Sequence, residues 1–372
     1  MRNVVGICNL HDGPHLGGLT KDRPLGAVTF LGRYGLMDFA LSDFSNSGID
    51  RIAILAENNV QAVRTHMGSG SIWVNNTITG FIRYFSNEKM MNNAHFNTDL
   101  NNIRANAHQI EGLDCEYVVV MSPFFLMSID LKEVLDAHIA SGADITVVYK
   151  NAKKANVDYA NCDEVFVKED GTIEKIYPFN NEKKNADISL EIFVYNRSAF
   201  ERIVRESKQI SELYNLRQMV SFACNHNLLK VNAYKFDGYV APILSLELYN
   251  KYSFELLDYS VRRKLFQEDW PIYTTTHNTP PTIYGPKADV KNSFIANGSI
   301  INGKVHNSIV SRNVVVEEDA VVEDSILFTD AKVGAGVKVS HVLADKSAHL
   351  EEKKRVAGDE ENILYIDIGA KI

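Results

Sequence analysis

The sequence predicts an α/β domain followed by a β-helix, and two patterns lead to this fold class. The first part of the chain alternates short apolar runs with helix-like stretches, which is typical of a parallel sheet covered by helices on both faces. The last part repeats aliphatic residues every six positions, which is typical of a β-helix built from hexapeptide repeats. We therefore predict a Rossmann-like domain over residues 1–269, a proline-rich linker over 270–286 and a left-handed β-helix over 287–372.

The elements of the first domain follow from these apolar runs. We predict strands within residues 1–10, 51–56, 117–121 and 143–149, and helices over 39–47 and 131–140. Residues 71–106 lack periodicity and are predicted as loops with one or two short strands, while 166–195 are predicted as two strands around a turn at Asp170-Gly171 and a charged loop. Parallel sheets bind ligands beyond the carboxyl ends of their strands, so the glycine-rich loop at 12–18 is the first candidate for a binding site.

The six-residue period of the last part fixes the expected core of the β-helix. Ile295 and Ile301 begin it, and after a two-residue shift it continues at Ile309, Val315, Val321, Leu327, Val333 and Val339. We expect these side chains to fill the centre of the coil. Six other residues fall outside this register and are expected to lie on the outside of the coil, facing a partner or the first domain: Val305, Val314, Val316, Val322, Ile326 and Phe328. Pro271, Pro280, Pro281 and Pro286 predict the linker, because proline suits neither a helix interior nor a central strand.

Composition limits the classes of partner and the compartment. A formal net charge of −8 argues against nucleic acid or an anionic membrane as the main partner. The four cysteines form no C-x-x-C pair and are expected to be reduced thiols without a metal. No apolar run approaches the ~18 residues of a membrane span, and the first residues do not form a signal peptide, so we predict a cytoplasmic protein.

Several short motifs, taken together with the β-helix, resemble one enzyme family. The motifs are Leu19-Thr-Lys21, Gly32-Arg-Tyr34, Asp38-Phe39, Leu41-Ser42, Asn46-Ser-Gly-Ile49 and Trp270-Pro-Ile-Tyr273 followed by Pro280-Pro281. They resemble the ADP-glucose pyrophosphorylase (glucose-1-phosphate adenylyltransferase) family, and the resemblance runs from Asn3 to about His349. It implies a nucleotidyltransferase-like (GT-A-like) first domain, a tetramer, and, in catalytic members, the substrates ATP and glucose 1-phosphate with Mg²⁺.

The loop that would hold the nucleotide phosphates departs from the family pattern. Catalytic members carry G-G-x-G-x-R-L, whose glycines let backbone amides approach the phosphates and whose arginine adds positive charge. Here the stretch reads Leu10-His-Asp-Gly-Pro-His-Leu16. Leu10 and His11 replace glycines, His15 replaces the arginine, and Asp12 adds a carboxylate. The family's phosphate-binding Lys-Pro aligns with Leu25-Gly26.

The metal and sugar-phosphate positions depart as well. The family's Gly-Asp, whose carboxylate holds Mg²⁺, aligns with Pro123-Phe124, and its second metal-binding Asp aligns with Pro242. The sugar-phosphate lysine aligns near Pro178, with Glu174-Lys175 as a shifted alternative. We therefore predict no catalytic residue and no metal site. The candidates for a residual anion or effector site are Gly13, Lys21, Arg23 and Arg33.

The resemblance thus implies a non-catalytic, regulatory or structural subunit. Its partner would be a catalytic ADP-glucose pyrophosphorylase subunit of bacterial glycogen biosynthesis in a heterotetramer, with Mg²⁺ held only by that partner and a sugar phosphate or nucleotide as effector. Two alternatives stay open. The chain could be a self-sufficient adenylyltransferase with a rearranged site, or it could act alone as a sugar-phosphate sensor or as a hexapeptide acyltransferase using His306, His341 or His349.

Overall fold

The computed structural model of the chain describes residues 3–11, 13–57, 59–87, 96–112, 114–360 and 362–372. The first domain contains these strands and helices, in chain order: β1 (Val4–Leu10), β2 (Thr29–Phe30), β3 (Tyr34–Gly35), α1 (Met37–Asn46), β4 (Arg51–Ala56), α2 (Val60–Met67), β5 (Phe81–Phe85), α3 (Asp99–Ala105), α4 (Ala107–Glu111), β6 (Tyr117–Met121), β7 (Phe125–Leu126), α5 (Leu131–Ser141), β8 (Ile145–Ala152), α6 (Ala155–Asp158), β9 (Asp163–Val167), β10 (Ile173–Pro178), β11 (Ala186–Asn196), α7 (Arg197–Ile210), α8 (Leu216–Asn225), β12 (Val231–Lys235), β13 (Ala241–Pro242), α9 (Leu246–Glu255) and α10 (Tyr259–Leu265). The six predicted strands and helices with stated bounds are all present.

Local sequence explains where several of the helices begin and end. The side chain of Asp130 accepts a hydrogen bond from the Lys132 amide at the start of α5, and Gly142 ends the same helix with φ 56°. Helix α8 begins with a reciprocal capping box between Asn215 and Gln218. No helix among the described residues is long and apolar enough to cross a membrane.

The main sheet is mixed, which corrects the prediction of a parallel sheet. Its strands follow the order β10-β9-β11-β6-β1-β4-β5, and β8 joins it by pairing with β11 and β12. Strands β6, β1, β4 and β5 are parallel, whereas β11 is antiparallel to both β6 and β8. Strands β9 and β10 are joined by a short turn rather than by a helix, and such a connection can only produce an antiparallel pair.

The second domain is a left-handed parallel β-helix, as predicted. Its strands are β14 (Ile283–Tyr284), β15 (Asp289–Lys291), β16 (Phe294–Ile295), β17 (Ile300–Ile301), β18 (Lys304–His306), β19 (Ile309–Val310), β20 (Val315–Val316), β21 (Val321–Glu323), β22 (Ile326–Leu327), β23 (Lys332–Val333), β24 (Lys338–Ser340), β25 (Val342–Ala344), β26 (His349–Leu350), β27 (Arg355–Ala357) and β28 (Leu364–Ile366). They form three sheets of five strands each. Strand β14 already pairs with β17, so the first coil begins within the stretch assigned to the linker.

The predicted core register of the β-helix is correct at Ile301, Leu327, Val333 and Val339 but wrong at Ile309, Val315 and Val321, and Ile309 faces the first domain. Val305, Val314, Val316 and Val322 are fully buried in the centre of the coil, whereas Val315 and Val321 lie half-buried on its outside. Ile326 and Phe328 lie outside the coil but are buried against the first domain. The reason is a tight turn in successive coils, at Asn307, Asp324 and His341, whose φ angles are 45°, 46° and 53°. Equivalent residues of these coils, such as the paired Ile309 and Ile326, are 17 residues apart (326 − 309), one fewer than three hexapeptides, so a strict period of six cannot follow every coil.

One face of the β-helix packs against the first domain and joins its core. Ile309, Ile326 and Leu343 project from the sheet of β16, β19, β22, β25 and β28 into the apolar cluster that also contains Leu10 and Phe39. The segment between the domains is fixed on α1, because the Trp270 indole Nε1 donates to Asp43 Oδ1 at 2.7 Å. The two domains therefore share one continuous core. All four cysteines are buried as free thiols.

Candidate functional site

The candidate site lies where strands β1 and β6 end in loops. These strands are parallel neighbours, so the loop that follows Leu10 and the segment that follows Met121 lie side by side. The structure brings together here five of the residues singled out in the sequence: Leu10, Gly13, Leu25, Phe124 and Pro242.

Apolar side chains fill the space beneath the loop at Gly13. A side-chain carbon placed on Gly13 would lie 3.6 Å from Leu25 Cδ2 and 3.9 Å from Phe124 Cδ1. One placed on Gly26 would lie 2.7 Å from Leu10 Cδ2. Leu10, Leu25 and Phe124 are only 6%, 6% and 4% exposed, and all three belong to the main hydrophobic core. This side of the loop therefore offers hydrocarbon where a phosphate would need hydrogen-bond donors.

The two histidines of the loop have opposite environments. His11 is buried, and its Nε2 lies 2.8 Å from Asn102 Nδ2. Burial lowers the pKa of His11 to about 4, so the imidazole is neutral at pH 7 and supplies no positive charge. His15 is exposed. Burial raises the pKa of Glu57, and the nearby His15 opposes that rise. Asp12 lies outside the described residues.

The two positions that align with metal carboxylates are neighbours in space. Strand β7 pairs with β13, with Pro242 opposite Phe125, and the Ile243 amide donates to the Phe124 carbonyl at 2.7 Å. The Phe124 ring packs on Phe125 at 5.1 Å between centroids. Mg²⁺ prefers carboxylate and water oxygens at ~2.1 Å. Phenylalanine and proline side chains provide neither, so these residues do not fit a magnesium ion.

A partly buried ionic cluster beside this position was not found from the sequence. Glu191 on β11 accepts hydrogen bonds from Ser122 Oγ at 3.1 Å and from Arg217 Nη1 at 3.0 Å. Arg217 Nε also lies 2.7 Å from Asp163 Oδ2. Burial raises the pKa values of both Glu191 and Asp163, and the Arg217 charge opposes that rise. A lone Glu within the otherwise apolar run Leu190-Glu191-Ile192 was the available sequence signal.

Glu191 also has a strained backbone. Its φ is 52°, in the left-handed region that disfavours residues with a Cβ, and it lies where the register of β11 against β8 shifts. Strain of this kind persists only where the surrounding contacts hold it. The surrounding contacts therefore hold the Glu191 carboxylate in a fixed position on β11.

The sugar-phosphate position lies on the other side of the ionic cluster. Pro178 is exposed at the end of β10, opposite Asp163 of β9. The shifted alternative, Lys175, donates from Nζ to the Asn225 carbonyl at the end of α8 at 2.9 Å. Neither residue contacts Phe124 or Pro242 in the hydrogen-bond and ring contacts of the described residues.

The four candidates for an anion site are not brought together, and Arg23 is a correction. Arg23 is 4% exposed, its Nη2 forms an ion pair with Asp345 of the β-helix, and its Nε donates to the Leu19 carbonyl at 2.9 Å. Because this guanidinium is buried and already paired, it is not available to bind an anion from solvent. Lys21 is exposed at the end of a short 3₁₀ turn, and Gly13 packs on Leu25.

Arg33 lies at a separate cleft between the domains. The cleft has a volume of about 350 Å³ and includes Arg33, Arg262, Tyr34 and the Phe294 ring. The Arg262 guanidinium lies 5.0 Å from the centre of that ring. Nearby, burial and then the charge of Arg33 lower the pKa of Arg312. The clustered guanidinium groups give this cleft a positive potential.

Comparison with known proteins agrees with the two-domain fold. A family profile described as "Nucleotidyl transferase" matches residues 12–237, and a profile described as "GlmU-like, C-terminal hexapeptide" matches residues 282–363. Curated relatives named glucose-1-phosphate adenylyltransferase include proteins of Lachnospira eligens (28% identity, covering 77% of this chain and 67% of the relative) and Bacillus subtilis (27%, covering 77% and 75%). The relative from Acetivibrio thermocellus is 26% identical and covers 94% of this chain and 82% of its own length. The chain therefore belongs to the nucleotidyl transferase family, and within it to the group of the glucose-1-phosphate adenylyltransferases.

Proposed function

We propose that this chain is a non-catalytic subunit that associates with a catalytic glucose-1-phosphate adenylyltransferase and regulates it. One observation carries the proposal: Leu10, Leu25 and Phe124 form a continuous apolar filling at the place where phosphates and metal would bind. Removing one electrostatic stabiliser from an active site typically costs ~10²–10³ in rate, and several are replaced here. Magnesium is then needed only by the catalytic partner.

The same geometry argues against a self-sufficient adenylyltransferase and against an acyltransferase. A self-sufficient adenylyltransferase would need other carboxylates near Phe124, and Glu191 and Asp163 there are already bonded to Arg217. An acyltransferase would need a histidine at a shared substrate site. His306 is 2.9 Å from Asp289 and His341 is 3.9 Å from Asp324, while His349 is 3.4 Å from Glu351 on a different sheet of the β-helix, so each histidine lies beside a different carboxylate.

The positive cleft between the domains supports a regulatory role. Arg33 and Arg262 line it together with three aromatic rings, a combination that suits an anion with a planar or apolar part. We assign the effector of the complex, a sugar phosphate or a nucleotide, to this cleft. Because residues of both domains form the cleft, a bound anion would act on their packing and so on the contacts with a partner.

The test is an activity assay of the purified chain, alone and mixed with a catalytic homologue. We expect no magnesium-dependent ADP-glucose synthesis from the chain alone. Turnover within ~100-fold of an ordinary enzyme median of ~10 s⁻¹ would contradict the proposal. The catalytic homologue alone, assayed in the same buffer, is the positive control.

A further inference from the structure

A second cleft between the domains, with a volume of about 410 Å³, lies between α9 and one corner of the β-helix. Helix α9 contributes Glu247, Asn250 and Phe254 from successive turns of one face. The opposite wall is the corner column, defined as Asn307, Asp324 and His341, which occupy equivalent positions in successive coils. None of these residues belongs to the site at Phe124 or to the cleft at Arg33.

The corner column is a fixed array of hydrogen-bonding groups. All three residues have positive φ angles, which Asn, Asp and His tolerate better than other residues with a Cβ. The Asn307 amide donates to the Asp324 carboxylate, and His341 Nε2 lies 3.9 Å from Asp324 Oδ2. The spacing of the coils therefore sets the distances between these side chains before any ligand binds.

Asn250 points to a ligand independently of the column. The residue is only 6% exposed and borders the cleft, yet its side-chain oxygen has no hydrogen-bond partner among the described residues. Buried amides in native proteins are almost always satisfied by protein, water or ligand. The oxygen itself is enclosed at the wall of the cleft, so a polar molecule in the cleft would supply the missing donor once the Asn250 amide rotates toward it.

The charges of the cleft exclude an anion. Glu247, Asp324 and Glu360 contribute carboxylates, and the ammonium group of Lys251 is already paired with Asp158 at 2.5 Å. Phosphate esters and carboxylates would therefore be repelled. A small cation would use the carboxylates but would leave the amide donors of the cleft unused.

A neutral sugar can bind both the carboxylate acceptors and the amide donors of the cleft. Each hydroxyl of a sugar donates and accepts hydrogen bonds, which matches amides and carboxylates lying side by side. The half-buried Phe254 ring offers an apolar surface for the face of a pyranose ring. We propose that this cleft binds a small neutral saccharide, with Asn250 and the corner column as its polar contacts. The proposal stands whether or not the chain is catalytic.

Isothermal titration of the intact chain with maltose and with sucrose tests the proposal. We expect saturable binding of at least one of them with a Kd of ~1 mM or below. Asn250→Leu and His341→Asn should each weaken that binding at least ~10-fold. Asparagine tolerates the left-handed backbone at position 341. His341→Asn therefore still tests binding at this cleft if Asn250→Leu does not fold. His349→Asn, on a different sheet of the same β-helix, is the matched control and should bind like the parent.

Any of three results would overturn the proposal. One is the absence of saturable binding by either sugar up to ~10 mM. Another is binding of calcium, spermidine or glucose 1-phosphate that His341→Asn abolishes, because the cleft would then be a site for a charged ligand. A sugar that binds equally well to the parent and to both variants would likewise show that it occupies another place.

Discussion

At the scale of a single residue, Phe124 determines which ligands the candidate site can bind. Its ring packs under the loop at Gly13 and beside Leu25, so it contributes to the core as well as excluding a metal. A carboxylate in its place would be surrounded by apolar groups, and an unpaired buried charge is destabilising. Catalytic function could therefore not be regained there by one substitution.

We predict that Pro123→Gly with Phe124→Asp will not restore ADP-glucose synthesis and will destabilise the protein by about 3–5 kcal/mol. Leu10 and Leu25 would still occupy the space under the loop, and groups that act as a unit are strongly non-additive. Urea denaturation and the synthesis assay measure the two effects. The control is Phe166→Asp, at a partly exposed ring, which should cost about 1 kcal/mol or less. Strong recovery of activity by the double change would contradict the apolar-filling argument.

His11 should make stability depend on pH. Its folded pKa is about 4 against an ordinary value of 6.5, because burial disfavours the imidazolium. Between these two pH values the unfolded chain binds a proton that the folded protein does not, so lowering the pH favours unfolding. We expect this residue alone to remove ~2 kcal/mol of stability between pH 7 and pH 5.

Urea denaturation of His11→Gln at both pH values checks this expectation. The variant should lose less stability than the parent when the pH falls. His226→Gln, at an exposed histidine, should behave like the parent. If His11→Gln and the parent lose the same stability, His11 is not the group that titrates.

At the scale of elements, the loop after β1 is tied to the last coil of the β-helix. Arg23 pairs with Asp345, which is fully buried and also accepts a hydrogen bond from the Tyr365 hydroxyl at 2.7 Å. The Tyr365 ring also packs so closely on Gly18 that a side-chain carbon there would lie 2.0 Å from it. The loop therefore cannot move without breaking contacts with the second domain.

We predict that Arg23→Ala will destabilise the protein by about 3–5 kcal/mol, because it leaves the Asp345 carboxylate buried without its partner. The double change Arg23→Leu with Asp345→Leu should unfold at a higher denaturant concentration than Arg23→Ala, because it removes both charges. Guanidinium denaturation monitored by tryptophan fluorescence measures the order. Arg205→Ala, at an exposed arginine, should leave the midpoint unchanged. The ion pair has no such role if Arg23→Ala and Arg205→Ala have equal midpoints.

At the scale of the whole molecule, the start of the β-helix carries the apolar surface that a partner could cover. Ile283 and Tyr284 are 56% and 54% exposed, and Ile300, paired with Ile283 on the neighbouring strand, is 37% exposed. These residues project from a sheet that does not face the first domain. The six residues that the sequence predicted on the outside of the coil are all buried, so they do not form this surface.

We predict that the parent chain will raise the rate of a catalytic paralogue and that Ile283→Glu with Ile300→Glu will weaken this effect. A coupling of 1–3 kcal/mol corresponds to a change of roughly 5–150-fold in apparent affinity. Titration into a fixed amount of the catalytic subunit, with rate and molecular mass recorded together, measures it. Val157→Glu, at an exposed valine of the first domain, is the control. If neither rate nor mass changes at micromolar concentrations, the chain is not a partner subunit.

The sequence by itself determined the fold class, the order of the domains and the apolar character of Leu10, Leu25 and Phe124. These depend on local periodicity and on residue types at fixed places along the chain, which need no knowledge of neighbours. Only the tertiary structure decided that Arg23 is paired with Asp345, that Glu191 is held by Arg217, and which valines fill the coil. Those outcomes depend on contacts between residues far apart in sequence and on the left-handed turns that shift the coil register, and no local pattern encodes either.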